Sequence, residues 1–405
     1  MSERDRPSVV VVSQHYPPDR SGNASRVADT CSHLADEGWD ITVLAPPPAF
    51  PHGQFERTWT RKTSHSRDGV AVHRLWAWQP TTEDPGFLAR MAYYLLFPIH
   101  AFLWLLFNYR AYDVVVTSSP PIFTGVAALP FGASGRKPWI VDVRDLWIDA
   151  SVGLGFISDG GLLERISRRY ERTVLRIADR VTVTTTVLGD RLVARYGIDE
   201  TKIVHVPNGV DTAAFRPTDD GSEPTIVYTG NVGHAQDLEA CVRALPEMDS
   251  SEATLKIVGD GDIRDDLEAL VAEEGLGDRV EFTGLVPREA IPGILDDAAI
   301  GVAPLKREET LEYAVPTKAY EYMAFELPVV ATGVGEIELL MEDSGGGVFV
   351  DNEPDRLAAA FDSLLADPDR RATIGEHGRE HVVQQYDRRA VARQLGELLE
   401  EVETP

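Results

Sequence analysis

The sequence predicts an α/β protein of two Rossmann-like, doubly wound domains facing a central cleft. Three observations carry this expectation. The 405 residues, 43% of them hydrophobic, suffice for two domain cores. Short β-branched runs lack polar alternation, the pattern of parallel strands covered on both faces. Those runs alternate with helix-like stretches in both halves of the chain.

The first strand is expected at 9–12, followed by a loop, a helix beginning near Ala24 and spanning 25–37, and a strand at 41–44. Further strands are expected at 114–116, 139–141 and 181–183. The second half repeats the style at 226–228, 255–258, 280–282, 300–302, 328–330 and 347–349. Between the halves, 206–211 and 216–224 are rich in Pro, Gly and Asp, a composition that breaks regular elements and suits a hinge. The domains are therefore placed at 1–207 and 208–387, with 388–405, leucine- and valine-bearing at helical spacing, either closing the second domain or crossing back to the first. Ligands of such folds sit at the carboxyl ends of the strands.

The 39 Lys and Arg against 65 Asp and Glu give a charge of −26, so nucleic acid is not expected as a partner. Six of the 39 are lysines. An acidic, lysine-poor, arginine-rich composition resembles that of haloarchaeal proteins, whose self-repulsion salt screens. Cys31 and Cys241 lie 210 positions apart in helix-like segments, which indicates neither a disulfide framework nor a zinc site. Residues 1–6 alternate charge without the apolar core of a signal peptide, so a cytoplasmic location is expected.

Five segments carry candidate chemistry. Gly22 and Asn23 stand in a small-residue loop between the first strand and helix, where unpaired N–H groups and the helix dipole suit a phosphate; an ordinary turn capped by Ser21 or Asn23 is the alternative. At 316–324 a loop turns into a helix whose first turn holds Thr317 and Lys318, with Glu321 at i+3 from the lysine. Backbone donors and an ammonium there suit a diphosphate, and the carboxylate suits both hydroxyls of a ribose; a solvated helix pair is the alternative. Asp142, Arg144 and Asp145 follow the 139–141 strand and are candidates to bind or deprotonate an acceptor hydroxyl, or else form a structural Arg144–Asp145 pair. The window 88–107 is the most apolar in the chain. Arg90, Pro98 and His100 interrupt it, so it is expected to lie in a membrane interface with Trp104 at headgroup level, or as a core helix. Finally, Arg165, Arg168, Arg169, Arg172, Arg176 and Arg180 recur at three- or four-residue steps, a basic face suited to anionic lipid or a pyrophosphate unless Glu164, Glu171 and Asp179 neutralise it.

The 316–324 stretch, with the loop at Gly22, Pro207-Asn208-Gly209-Val210-Asp211, Tyr228-Thr229-Gly230-Asn231-Val232-Gly233, Ile257-Val258-Gly259-Asp260-Gly261 and Phe282-Thr283-Gly284-Leu285-Val286, resembles the retaining, nucleotide-sugar-dependent glycosyltransferases of family 4. It resembles in particular the prokaryotic members that build surface polysaccharides or lipid-linked glycans. The resemblance implies the GT-B fold and a donor site that includes Gly230, Asn231, Gln236, Gly259, Val286, Thr317, Lys318 and Glu321. Glu321 matches the second glutamate of the family's E-x7-E motif, which holds the donor ribose; Val286 sits where the backbone meets the base, and Gly230 opens the loop facing the diphosphate. Two positions depart from the pattern. The first glutamate falls on Tyr313, with Glu312 one place off, and the usual Arg and Lys after the glycine are replaced by Asn231 and by Ala235-Gln236. Lys318, with the backbone donors of Thr317 and Lys318, is inferred to supply the missing charge.

The resemblance thus implies a transferase that moves a sugar from a UDP- or GDP-linked donor to a lipid-linked or glycan acceptor, peripherally bound at the cytoplasmic face of a membrane, with no metal and no separate cofactor. A non-hydrolysing sugar-nucleotide epimerase and a non-catalytic glycan- or nucleotide-binding subunit are the alternatives.

Overall fold

The computed structural model describes residues 7–82, 85–153, 155–217 and 224–403. The chain divides into two compact units: residues up to Pro207 together with those from Val391 on, and Asn208–Ala390.

The first unit holds β1 (Ser8–Val12), β2 (Asp40–Ala45), β3 (Lys62–Arg67), β4 (Val70–Leu75), β5 (Val114–Ser119), β6 (Trp139–Val143), β7 (Arg180–Val183) and β8 (Ile203–His205). They form one sheet in the order β3-β4-β2-β1-β5-β6-β7-β8. Only β3 runs antiparallel to its neighbour. Because β1 lies between β2 and β5, Val9, Val10 and Val12 are covered on both faces and wholly buried, which is why the run has no polar alternation. The β3–β4 hairpin was not expected. Its turn is Asp68-Gly69, both with positive φ, the backbone a tight two-residue hairpin needs.

The second unit holds β9 (Thr225–Thr229), β10 (Thr254–Val258), β11 (Val280–Gly284), β12 (Ile300–Pro304), β13 (Val329–Thr332) and β14 (Gly347–Phe349). Their order is β11-β10-β9-β12-β13-β14 and every pairing is parallel. The Asn208-Gly209-Val210-Asp211 run is shaped by a second pass of the chain: Val210 N donates to Tyr386 O (2.8 Å) and Arg388 N to Val210 O (3.0 Å). A Cβ on Gly209 would stand 3.0 Å from Arg388 Cα, so glycine is required by close approach. Within the second expected hinge segment, 218–223 lie outside the described residues. The last helix, Arg388–Glu403, places Ala392, Leu398 and Leu399 in the core of the first unit beside Leu34, Trp39 and Ile41.

The apolar window forms the helix Phe87–Asn108. Tyr93, Phe97, Ala101 and Leu105, at steps of four, are buried, whereas Leu95, Leu96, Ile99, Leu103, Leu106 and Phe107 are exposed. By length and composition it is the one helix among the described residues that could cross a membrane. Its inward face, however, belongs to the packed core of the first unit.

Candidate functional site

In the second unit three loops and one helix converge at the carboxyl ends of β9, β10 and β11, where ligands of doubly wound sheets bind. Gly230, directly after β9, has φ +125°, and Gly259, directly after β10, has φ +142°. A Cβ on Gly259 would stand 1.8 Å from the Gly230 carbonyl oxygen, so the glycines permit two backbones to touch. Gly230 N to Val258 O (2.8 Å), Val232 N to Asp260 O (3.0 Å) and Gly259 N to Gly284 O (3.0 Å) fasten the loops together. Asn231 rides on this framework, its carbonyl accepting from the Tyr228 hydroxyl at 2.5 Å.

The helix Thr317–Ala324 starts after Pro316, and no side chain caps its first turn. Thr317 is exposed there, and the positive end of the dipole is open to an anion. Lys318 is only 8% exposed. Its Nζ lies 3.5 Å from the centroid of the Tyr228 ring and 3.4 Å from Gln236 Oε1. Desolvation pushes its pKa well below that of an ordinary lysine, opposed by the nearby Glu321 carboxylate. Glu321, one turn further in, is itself pushed up by burial and drawn down by Arg288 and Lys318. It forms an ion pair with Arg288, at 3.4 Å. Val286 packs partly buried against the core, while Leu285 beside it is 80% exposed.

Structure thus brings Gly230, Gln236, Gly259, Thr317, Lys318 and Glu321 together. An ammonium in a desolvated floor beside an uncapped helix N-terminus suits a diphosphate, a half-enclosed carboxylate suits vicinal hydroxyls, and an exposed leucine suits the face of a planar base. Sequence reading missed three contributors. Tyr228 was seen as part of a motif but not as the ring under Lys318; Arg288 and Leu285 flank Val286, and the glycine at 284 with positive φ was the available signal. At the departing E-x7-E position, the Glu312 carbonyl accepts from Glu336 N at 2.7 Å, and a Cβ on Gly335 would stand 2.2 Å from that carbonyl.

In the first unit the strand-end charges form a closed cluster. Asp142 is bridged by Arg144 Nε (3.2 Å) and an Arg26 NH2 (3.6 Å), and accepts from the Thr182 hydroxyl (2.9 Å). Asp142 therefore stands among two guanidinium groups and a hydroxyl of its own unit. Arg144, pushed down to about 10 by burial, stays charged at neutral pH and donates to the Asn23 carbonyl at 3.4 Å. Arg144, through the Asn23 carbonyl, and Asp142, through Arg26, touch the first turns of the helix Gly22–Asp36, which Ser21 caps by accepting from Ala24 N (3.1 Å), while the Asn23 amide donates to Pro120 O (3.4 Å). Asp145 is half-buried on the loop ahead of the helix Trp147–Gly153. A titratable pair passed over in the sequence stands in the same region: His15 Nδ1 lies 3.3 Å from Asp19 Oδ2, and Asp19 Oδ1 accepts from Ala49 N (2.8 Å) and Phe50 N (3.0 Å).

Of the two membrane expectations, the first concerns Trp104, which is half-buried, 5.3 Å from the His73 ring and 5.5 Å from the Tyr112 ring, with Lys62 over its face. The exposed aromatic at that end is Phe107, 83% accessible. The arginine face of the helix Leu162–Ile177 is largely committed to its own unit. Arg168 bridges Glu164 (2.6 Å) and Asp149 (2.8 Å), Arg172 donates to Tyr196 O (3.1 Å) and Arg176 to Gly197 O (3.2 Å). Arg169 is exposed. Arg168 is thus paired with carboxylates, whereas Arg172 and Arg176 donate to neutral carbonyls and, exposed like Arg169, keep their charge.

Residues 21–209 match the family model for a glycosyl transferase 4-like domain, and residues 223–367 the model for glycosyl transferases group 1. The chain is 22% identical over 408 residues to the putative colanic acid biosynthesis glycosyl transferase WcaI of Escherichia coli K12, covering 96% of this chain and 98% of that one. It is 28% identical over 250 residues to the GDP-mannose-dependent α-(1-6)-phosphatidylinositol monomannoside mannosyltransferase of Mycolicibacterium smegmatis, covering 58% of this chain and 65% of that protein. Among solved structures, sucrose-phosphate synthase from Thermosynechococcus elongatus superposes with a TM-score of 0.76 at 22% identity over 98% of this chain and 99% of that one. Anabaena HepE in complex with UDP superposes with a TM-score of 0.70 at 16% identity, over 97% and 100% of the two chains.

Proposed function

The chain is a glycosyltransferase of the GT-B fold, and from that premise we propose that it uses a nucleotide sugar and transfers the sugar, with retention of configuration, to a lipid-linked or glycan acceptor at a membrane surface. The observation that carries the donor assignment is the buried Lys318 ammonium beside an uncapped helix N-terminus, with Glu321 one turn further along. Departure of a nucleoside diphosphate develops negative charge, and a preorganised cation in a desolvated site offsets it at no reorganisation cost. Glu321 accepts the ribose hydroxyls, and Leu285 and Val286 flank the base. The acceptor hydroxyl is assigned to the first unit, where His15, oriented by Asp19, is the titratable group able to take its proton. Names of relatives that use GDP-mannose or bind UDP agree with a nucleotide-linked donor.

Incubating the protein at high salt with UDP- and GDP-sugars and a polyprenyl-phosphate-linked acceptor should release one nucleoside diphosphate, acceptor-dependently, with the donor's anomeric configuration kept in the product. Interconversion of free sugar nucleotide without acceptor would instead make it an epimerase.

Membrane attachment is assigned to the exposed apolar stripe of the helix Phe87–Asn108, since the −26 charge of the chain repels anionic lipid. Flotation with liposomes should therefore persist at high salt and be lost on replacing Leu95, Ile99 and Leu103 by serine, three exposed side chains whose partial burial in lipid is together worth about 3 kcal/mol. Charge reversal at Arg169 should leave flotation unchanged. Flotation that depends on Arg169 and vanishes in salt would return the attachment to electrostatics.

A further inference from the structure

Three of the chain's seven tryptophans meet at one place in the first unit. The Trp59 ring stacks on Trp76, with centroids 6.2 Å apart and planes 22° off parallel, and stands at 79° to the Trp78 ring at 6.3 Å. The Arg57 guanidinium lies 4.0 Å from the centre of the Trp78 ring. Trp76 and Trp78 are half-buried, whereas Trp59 is 67% exposed. With one face of its indole on Trp76, that exposure belongs to the other face and the rim. Hydrogen bonds hold the segment in place. Trp76 Nε1 donates to Thr58 O at 3.1 Å and Trp76 N to Arg61 O at 3.0 Å, while Thr58 N donates to Gln79 Oε1 at 2.6 Å. Arg57 Nε and NH2 donate to Gln79 O at 3.2 and 3.1 Å, and Gln79, itself buried, donates to Pro48 O at 2.7 Å.

A preorganised, outward-facing tryptophan is the side chain that most often anchors a recognition surface. Between Pro51 and Gly86 it is the one exposed large hydrophobic among the described residues, so it lacks the apolar neighbours that carry a segment into lipid. Its surroundings in sequence are polar and cationic: 57–67 holds Arg57, Arg61, Lys62 and Arg67 and no acid, in a chain of net charge −26. Arg61, two positions from the ring, is exposed. An open ring face with local positive charge fits a pyranose of an acidic glycan. The C–H face of the sugar packs on the negative face of the indole, and its carboxylate meets the cations. The location agrees with an acceptor. Strand β4 runs parallel to β2, and β2 to β1, so Trp76, directly after β4, leaves the same end of the sheet as the His15 loop after β1. We propose that Trp59 is the stacking platform for one sugar unit of a carboxylate-bearing glycan acceptor, a unit other than the one that reacts. The inference deepens the glycan half of the acceptor reading and rests on it.

The test is calorimetric titration of the full chain with hexamers of galacturonan, alginate and hyaluronan and with neutral maltohexaose, beside flotation with anionic liposomes. At least one acidic hexamer should bind, more tightly than maltohexaose and less tightly as salt rises. Trp59→Ala should weaken it tenfold or more, and Trp59→Phe, which keeps a ring, should recover most of the loss. Arg61→Gln should weaken the acidic hexamers and leave maltohexaose as it is. An unchanged melting temperature shows that each variant keeps its fold. Failure of every acidic hexamer to bind the parent, binding that Trp59→Ala leaves unchanged, or maltohexaose bound as tightly as the acidic hexamers overturns the inference. So does a Trp59→Ala variant that loses liposome flotation and keeps hexamer affinity, since the ring then serves lipid. In transfer assays Trp59→Ala should raise the KM for a glycan acceptor. Hexamer binding that depends on Trp59, with no sugar transfer to any glycan, overturns the acceptor reading and keeps the platform; transfer to a glycan whose KM is unmoved by Trp59→Ala does the reverse.

Discussion

Replacing Lys318 by alanine is expected to lower turnover by about a hundredfold, the range found when one preorganised electrostatic stabiliser is removed. The side chain sits on the Tyr228 ring with Gln236 Oε1 at 3.4 Å, and Asn231 and Ala235-Gln236 stand where the family resemblance implies an Arg and a Lys. Burial lowers the Lys318 pKa, so the free enzyme gives up this proton at a lower pH than ordinary lysine, whereas a bound diphosphate favours the charged form. Nucleoside diphosphate affinity should therefore fall as pH rises through the depressed pKa, and Lys318→Ala should abolish that dependence. The linkage to stability has the matching sign. The unfolded chain holds the proton to higher pH than the folded one, so the cost of burying the ammonium is greatest in acid and eases as pH rises. Turnover within about threefold of the parent would show that the helix dipole and backbone donors suffice without the cation.

The sheets were legible because burial on both faces leaves its mark on the sequence: 9–12, 41–44 and 226–228 are apolar at every or nearly every position, and their strands are buried nearly throughout. The edge strand β3 was not, since all six residues of Lys62–Arg67 are exposed and polar, and only the Asp68-Gly69 turn betrays the hairpin. The donor-side residues were legible for a different reason: glycine spacing and a helix start encode backbone geometry locally. What stands opposite a helix is not local. The arginines of Leu162–Ile177 share spacing with a lipid-binding face, yet their partners Asp149, Tyr196 and Gly197 come from other elements. Asp142 likewise looked like a free strand-end carboxylate until Arg26 reached it from a helix more than a hundred residues earlier. Trp104 lies beside the inward row Tyr93, Phe97, Ala101 and Leu105, a register that composition does not reveal.

Glu321→Gln is expected to weaken nucleotide binding by about 1.5–3 kcal/mol, roughly ten- to 150-fold, the worth of hydrogen bonds to a charged group. In the proposed donor site one carboxylate accepts from both ribose hydroxyls; the amide would offer a single acceptor oxygen and turn a donor toward the second hydroxyl. The neighbouring Arg288 favours the ionised form against the upward push of burial. Because the net shift is upward, nucleotide affinity in the parent should decline on acidification earlier than for an ordinary glutamate, and the glutamine variant should lose that decline. Inorganic pyrophosphate separates the two roles in the site, since it carries the anion without the ribose. Titrations should show Lys318→Ala weakening both the nucleoside diphosphate and pyrophosphate, and Glu321→Gln weakening the nucleoside diphosphate alone, with the acceptor KM unchanged. Equal loss of pyrophosphate affinity in Glu321→Gln would mean that the carboxylate acts through Lys318, tuning its charge, and that the ribose is held elsewhere.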